Sequence, residues 1–176
     1  MNLIHEAITF AAGKHATQVR KGTAIPYLAH LMETMHILAV NGCPEKVIIA
    51  GILHDTLEDT KTTVQEISGK FGQEILDIVR AESEDKSKSW KERKQTTIDH
   101  IKTAPPEVKL VCCADKLSNL RSIESDLKTL GDDLWGRFKA PKEQQAWYYT
   151  EIVASLSDLA EYRMYRELAA LSKEVF

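Results

Sequence analysis

The sequence predicts an all-α fold. Apolar residues recur at three- and four-residue spacing along nearly the whole chain, and no stretch alternates with period two. Two Ser/Thr-x-x-Glu boxes, Thr63-Val64-Gln65-Glu66 and Ser89-Trp90-Lys91-Glu92, each mark a helix start. Proline and glycine fall between the periodic segments, where helices end.

The first apolar stripe is Leu3, Ile4, Ala7, Ile8, Ala11 and Ala12, and residues Gly22 to Pro26 then break it. A second helix begins near His30, carries Leu31, Met35 and Leu38, and stops at Gly42. Pro44 suits a first helical turn. The third helix spreads Val47, Ile48, Ala50, Gly51, His54 and Asp55 over its inward side, and Gly51 leaves room there for a close neighbour. The Thr63 box opens a short helix ending near Gly69 or Gly72, and Ile75, Leu76, Ile78 and Val79 carry the next. Residues Ser83 to Lys88 read as a polar loop. The Ser89 box opens a helix to about Thr103, which Pro105-Pro106 ends while starting its successor. Leu110 to Leu120 is helical, residues 126–141 are mixed, and two nearly continuous helices, Lys142–Leu156 and Asp158–Lys173, close the chain. With 176 residues, one domain over 1–176 is expected.

The balance of charge excludes several functions. The formal net charge is -3, and the densest basic stretch, Lys86, Lys88, Lys91, Arg93 and Lys94, is interleaved with Glu84, Asp85 and Glu92. That is no nucleic-acid face. It suits a small phosphorylated substrate, or else a solvated mixed-charge surface. No apolar run reaches the roughly 20 residues of a membrane span, and the first residues lack a signal-peptide layout. Cys43, Cys112 and Cys113 form no Cys-x-x-Cys knuckle and no disulfide pattern; they read as small core residues in a reducing compartment, hence a cytoplasmic protein. No Gly-rich phosphate loop and no Gly-x-Ser-x-Gly elbow occurs.

The chemistry concentrates in His54-Asp55-Thr56-Leu57-Glu58-Asp59, with His30 upstream and Asp115 downstream. Read as one helix, Glu58 follows His54 and Asp59 follows Asp55 by one turn. These acids at a helix C-terminus repel one another and oppose the dipole, which a bound cation would relieve. Val108, Val111, Cys112, Asp115 and Asn119 follow the three-and-four spacing of an inward stripe, so Asp115 interrupts an apolar face. A carboxylate on such a face ligates a metal or pairs with a cation; Lys116 and Arg121 are neighbours, but neither shares its helical face. Arg20 and Lys21, on the loop before His30, have the chemistry of phosphate contacts. His5, His15, His36 and His100 lack comparable support. A mixed imidazole–carboxylate set favours Mn, Fe, Zn or Mg over copper or iron–sulfur, and imidazoles argue against a pure Mg site. The reaction it serves best is hydrolysis at phosphorus, with Glu58 or Asp59 orienting or deprotonating the water.

His30 … His54-Asp55 … Asp115 resembles the metal signature of the HD phosphohydrolase superfamily. Arg20-Lys21-Gly22, Pro26-Tyr27, His54 to Thr60 and Ala114-Asp115-Lys116-Leu117-Ser118-Asn119-Leu120-Arg121 resemble, more closely, the hydrolase domain of RelA/SpoT enzymes and the small standalone guanosine polyphosphate hydrolases. The resemblance implies an all-α HD-domain helical bundle and a divalent metal, usually manganese. It implies removal of the 3′-pyrophosphate from guanosine 3′,5′-bis(diphosphate), or from its triphosphate counterpart, and only the hydrolase half of the long enzymes. It further implies His30, His54, Asp55 and Asp115 as ligands, Glu58 and Asp59 as the groups that handle water, Arg20, Lys21 and Tyr27 along the substrate, and Asn119 at the sugar or phosphate. The chain departs from the family at Val79 to Lys86, where a Gly-Val-Thr-Lys-like stretch is usual; Lys86, Lys88 and Lys94 would there meet the distal phosphates. Two alternatives stand beside this expectation: an HD hydrolase of another nucleotide, such as a nucleoside monophosphate or another 3′-phosphorylated nucleotide, and a non-catalytic nucleotide-sensing domain. No oligomeric state is implied.

Overall fold

The computed structural model describes residues 2–176. Ten α-helices follow one another: α1 (Leu3–Lys14), α2 (Leu28–Val40), α3 (Glu45–Leu53), α4 (Thr56–Asp59), α5 (Val64–Phe71), α6 (Gln73–Glu82), α7 (Trp90–Thr103), α8 (Pro106–Leu130), α9 (Lys142–Ser155) and α10 (Arg163–Val175). Short 3₁₀ turns fill Gly131–Arg137 and Ser157–Leu159. Among the described residues, sheet-like pairing is confined to one bridge between Val19 and Pro26. The all-helical expectation holds.

Both capping boxes form. Thr63 and Ser89 accept from the backbones of Glu66 and Glu92, whose carboxylates reach back to the cap amides. Each box satisfies donors that the first turn leaves orphaned.

Helices α3 and α8 form the axis of the molecule. Val47 and every residue from Ile49 to Leu53 are buried in α3. Helix α8 is 25 residues long and packs against α2, α3, α6 and α10. Each fully buried Leu or Ile on these faces, such as Leu31, Ile49 and Leu117, contributes roughly 1.5–3 kcal/mol. All three cysteines are buried among them and carry free thiols.

Three boundaries differ from those read in the sequence. Helix α2 starts at Leu28, ahead of His30. Helix α8 runs on to Leu130, because Leu127 still packs on the core and Glu124 pairs with Lys128 one turn later. Gly131, at a φ of 57°, then ends it. The closing helices are not continuous: α10 begins only at Arg163. Asp158 of the intervening turn bonds Lys109 of α8 at 2.6 Å, which anchors the turn and lets Met164, Leu168 and Leu171 fold back into the core.

Gly51 marks where α3 and α2 touch most closely. A Cβ there would lie 2.4 Å from Leu38 Cδ1 and 3.5 Å from Thr34 Cγ2, and Leu38 is fully buried. Gly51→Ala gains helix propensity of about 1 kcal/mol, but overpacking costs about 1–3 kcal/mol, and the closeness of this contact puts the cost ahead. The variant is expected to lose about 1 kcal/mol net in urea denaturation; a gain would show that Leu38 yields freely.

Candidate metal centre

Four residues from three distant segments of the sequence meet at the junction of α2, α3, α4 and α8. His30 projects from the first turn of α2, His54 and Asp55 occupy the turn between α3 and α4, and Asp115 lies midway along α8. His30, His54 and Asp115 each offer a ligand atom, all within 4.8 Å of one another, and all three residues are buried. Asp115 Oδ1 lies 3.2 Å from His30 Nε2 and 3.6 Å from His54 Nε2. Asp55 Oδ2 adjoins them, 2.9 Å from His54 Nε2 and 3.8 Å from His30 Nε2.

The third helix does not continue through this cluster as the sequence suggests. It ends at Leu53, and α4 is a single turn. Side chains cause the break. His54 Nδ1 bonds Gly51 O at 2.8 Å, and Thr56 Oγ1 donates to Leu53 O at 2.6 Å. Such local bonds compete with the helical ladder, and they turn His54 and Asp55 together toward α8.

The hydrogen bonds fix the imidazoles. A carbonyl only accepts, so His54 Nδ1 carries hydrogen and donates to Gly51 O. The Nε2 atoms of both histidines are buried without a hydrogen-bond partner in the protein. Two orphaned ring nitrogens facing two carboxylates are the donor set of a divalent-cation site, and the residues fit one.

Burial opposes charge throughout the cluster. It lowers the pKa of His30 and outweighs the pull of Asp115. For His54 burial again works against the charge, but Asp55 and Asp115 together raise its pKa well above the ordinary imidazole value. Burial likewise opposes ionisation of both aspartates. His54 nonetheless holds Asp55 ionised, and Lys116, followed by the histidines, holds Asp115 ionised.

Lys116 requires a correction. Its side chain curls onto its neighbour, with Nζ 2.5 Å from Asp115 Oδ2, even though the two Cα atoms face different ways on the helix. Asp115 therefore both pairs with a cation and faces the histidines, one oxygen to each. Asn119 Nδ2 donates to Oδ1 at 2.6 Å.

The expected substrate side is a single wall. Tyr27 Oη donates to Asp55 Oδ2 at 2.5 Å, and burial followed by Asp55 raises its pKa far enough to keep the phenol protonated. Arg20 lies over the Tyr27 ring and donates to Asn119 Oδ1 at 2.9 Å. Lys21 sits over Phe138. These residues line a cavity of about 270 Å³ whose far side is Ser122, Gln145, Tyr149 and the Asp126–Arg137 pair. The sequence reading noted Ser122 but missed Asp126, further along α8, Arg137 in the turn after it, and Gln145 and Tyr149 on α9 as parts of this wall.

Glu58 and Asp59 are individually paired rather than stacked and repelling. Glu58 Oε2 accepts from Glu84 N at 3.0 Å, and Asp59 accepts from Lys86 at 2.7 Å and from Gln18 at 3.0 Å. Burial raises the pKa of Glu58 above the ordinary carboxylate value.

The 80–94 segment divides. Lys86 holds Asp59 and the Glu58 carbonyl. Lys94 bonds Glu84 at 2.7 Å and lies over the Tyr148 ring. Lys88 is exposed and lines a separate cavity with Arg80, Arg93 and His100, which includes none of the four clustered residues. The sequence reading set Lys116 aside as a partner of Asp115 because of its helical face, and it did not foresee the burial of Glu82, whose Oε1 has no hydrogen-bond partner. Burial pushes the Glu82 carboxyl up to about 8 from its ordinary 4.5.

Glu82 gives a pH test. Between about pH 4.5 and 8 the unfolded chain has released this proton and the folded chain still holds it. The folded state binds more protons, so this group makes stability fall as pH rises through that window. Glu82→Gln should therefore stabilise the metal-free protein more at pH 8 than at pH 5, by on the order of 2 kcal/mol at pH 8, read as a larger rise in melting temperature at the higher pH. An equal gain at both values, or a loss at pH 8, would show that the carboxyl is ionised and satisfied.

The comparisons with known proteins agree with this geometry. Residues 7–143 match the model of a family described as the HD domain. A guanosine-3′,5′-bis(diphosphate) 3′-pyrophosphohydrolase, MESH1, of Xenopus tropicalis is 38% identical over 157 residues, covering 88% of this chain and 84% of the relative. The MESH1 of Homo sapiens is 39% identical over 121 residues, covering 67% and 68%. A solved structure described as a metazoan ortholog of SpoT that hydrolyzes ppGpp superposes on all of this chain and 98% of its own, with a TM-score of 0.82 and 26% identity. The crystal structure of lmo0812 from Listeria monocytogenes EGD-e gives a TM-score of 0.78 at 36% identity, covering 84% of this chain and 98% of its own. The family match, the histidine–aspartate cluster and the helical frame coincide, and this chain belongs to the HD-domain family, among the homologues of MESH1.

Proposed function

We propose that the protein is a metal-dependent hydrolase of the 3′-pyrophosphate of guanosine 3′,5′-bis(diphosphate) and its triphosphate counterpart. The observation that carries the reading is the convergence of His30, His54 and Asp115 ligand atoms beside a cavity walled by Arg20, Tyr27 and Asn119, in a chain that shares 38% identity with MESH1 over most of its length. We assign His30, His54, Asp55 and Asp115 to a divalent cation, manganese being the candidate. A cation held there supplies Lewis acidity toward water and a phosphoryl oxygen.

The chain's own residues do the rest. Glu58, a carboxylate of raised basicity, orients the attacking water and takes its proton. Asp59, held by Lys86 and Gln18, supports that orientation. The water oxygen forms a bond to the phosphorus nearest the ribose, the bond from that phosphorus to O3′ breaks, the proton taken by Glu58 passes to the departing O3′, and GDP or GTP leaves along with pyrophosphate. Tyr27, fixed by Asp55, closes the wall between cation and nucleotide. Arg20 and Lys21 neutralise substrate phosphate, with Asn119 near the sugar. We assign Lys94 and Lys86 to the distal phosphates; each is already paired with an acid. Lys88 is left outside this assignment. The single domain, the small-molecule nucleotide partner and a cytoplasmic location belong to the same reading.

Manganese-loaded protein incubated with guanosine 3′,5′-bis(diphosphate) should release GDP and pyrophosphate. Glu58→Gln should lower kcat by about 10²–10⁴ while leaving manganese affinity within a few-fold. Asp55→Ala should lose both turnover and affinity. In a nucleotide panel under one metal condition, a nucleoside monophosphate turned over faster than the guanosine polyphosphate would replace this reading with the broader HD hydrolase. Tight nucleotide binding with no turnover would replace it with a sensor.

A further inference from the structure

A chain of hydrogen bonds leads from His30 away from the cation site to the C-terminal helix. His30 Nδ1 lies 2.8 Å from Ser118 Oγ. The same hydroxyl donates to Glu33 Oε2 at 2.9 Å. Glu33 Oε1 accepts from Arg121 at 3.2 Å, and Arg121 Nε donates to Glu167 at 2.7 Å. His30 and Glu33 are three residues apart on α2, and Ser118 and Arg121 are three apart on α8, so each pair shares one helical face. The relay alternates between the helices: α2, α8, α2, α8, α10.

We propose that Ser118 and Glu33 are positioning residues that hold His30 as the Nδ1–H tautomer, so that its Nε2 lone pair is presented to the cation. This rests on the reading of His30 as a metal ligand and reaches beyond the ligand set itself.

Proton counting carries the argument. Ser118 has one hydroxyl hydrogen. Glu33, as a carboxylate also held by Arg121, has none to give, so the Ser118 hydrogen goes to Glu33. Ser118 Oγ then meets His30 Nδ1 with lone pairs only, and the shared hydrogen sits on Nδ1. The ring nitrogen on the other side is left bare, and Nε2 is the atom buried without a hydrogen-bond partner beside Asp115. On His54 the Nδ1 hydrogen is held by a simpler route, by donation to Gly51 O. The two histidines are thus set by different devices. One is a backbone carbonyl that no substitution removes, and the other is a side-chain relay that a single substitution cuts.

Ser118 could instead be mere glue between α2 and α8. Its burial, to 1% exposure, requires a partner for its hydroxyl, and Glu33 alone would satisfy that need. The glue reading predicts a loss of stability with no effect on metal. The relay predicts a change at the metal, since partners of the second ring nitrogen tune ligand orientation and basicity, typically by 10–100-fold in affinity.

Calorimetric titration of Mn²⁺ alone into the full chain separates the two, without substrate. Ser118→Ala is expected to weaken Mn²⁺ binding at least tenfold, and Ser118→Thr, which keeps the hydroxyl, should stay within about threefold of wild type. Glu33→Ala reads the same link from its half-exposed end and should also weaken binding about tenfold, which covers the case in which Ser118→Ala fails to fold. Unchanged affinity in folded Ser118→Ala or Glu33→Ala overturns the relay, as does an equal loss in the Thr and Ala variants of Ser118. Wild-type protein that binds no Mn²⁺ defeats the metal reading and the relay with it. Wild-type binding that Ser118→Ala leaves intact defeats the relay alone.

Discussion

Everything in this molecule depends on one buried carboxylate held against two imidazoles. Asp115 stands on the inward face of α8, buried one turn beyond Val111 and Cys112, where an unpaired charge would be expelled or neutralised. It is kept ionised there because every approach to it is polar. Lys116 holds one oxygen, Asn119 and the two imidazoles surround the other, and Tyr27 fixes the companion carboxylate of Asp55. Breaking such a set by removing one partner costs far more than the set contributes to stability. The cluster keeps His30, His54 and Asp115 out of water, a burden that a bound cation would relieve, and that is the physical reason to read it as functional.

The fold is arranged to bring these groups together. Helix α8 spans the molecule and supplies Asp115, Ser118 and Asn119 from consecutive turns of one side. The missing side chain at Gly51 lets α2 approach α3, which sets His30 across from His54, with ring centroids 5.2 Å apart. The α3–α4 break then aims His54 and Asp55 at α8. The loop before α2, pinned by the Val19–Pro26 bridge, delivers Arg20 and Tyr27 to the same side.

How much of this was legible depends on the range of the interaction. Capping boxes act within four residues, and both were read correctly at Thr63 and Ser89. Asp115 stood out because it violates a local period, and His54-Asp55 because two ligand types are adjacent. The break at His54 was hidden, since a helical wheel for residues 47–59 takes the helix for granted, and only the bonds to Gly51 O and Leu53 O end it. The Lys116 contact was hidden for a related reason: face assignment follows Cα direction, while a lysine is long enough to curl back. The burial of Glu82, the far wall at Gln145 and Tyr149, and the Glu33–Ser118 link join segments far apart in sequence, and no single-sequence pattern carries them. The family resemblance supplied the ligand set and the guanosine polyphosphate; the residues alone supplied a cation and hydrolysis at phosphorus.

The most direct test of the central claim is anomalous diffraction at the manganese edge from crystals soaked in Mn²⁺. The account predicts one strong peak within bonding distance, about 2.0–2.3 Å, of His30 Nε2, His54 Nε2 and an Asp115 oxygen. A peak at Glu58 and Asp59 without the histidines, or no peak with the histidines still facing Asp115, would contradict it.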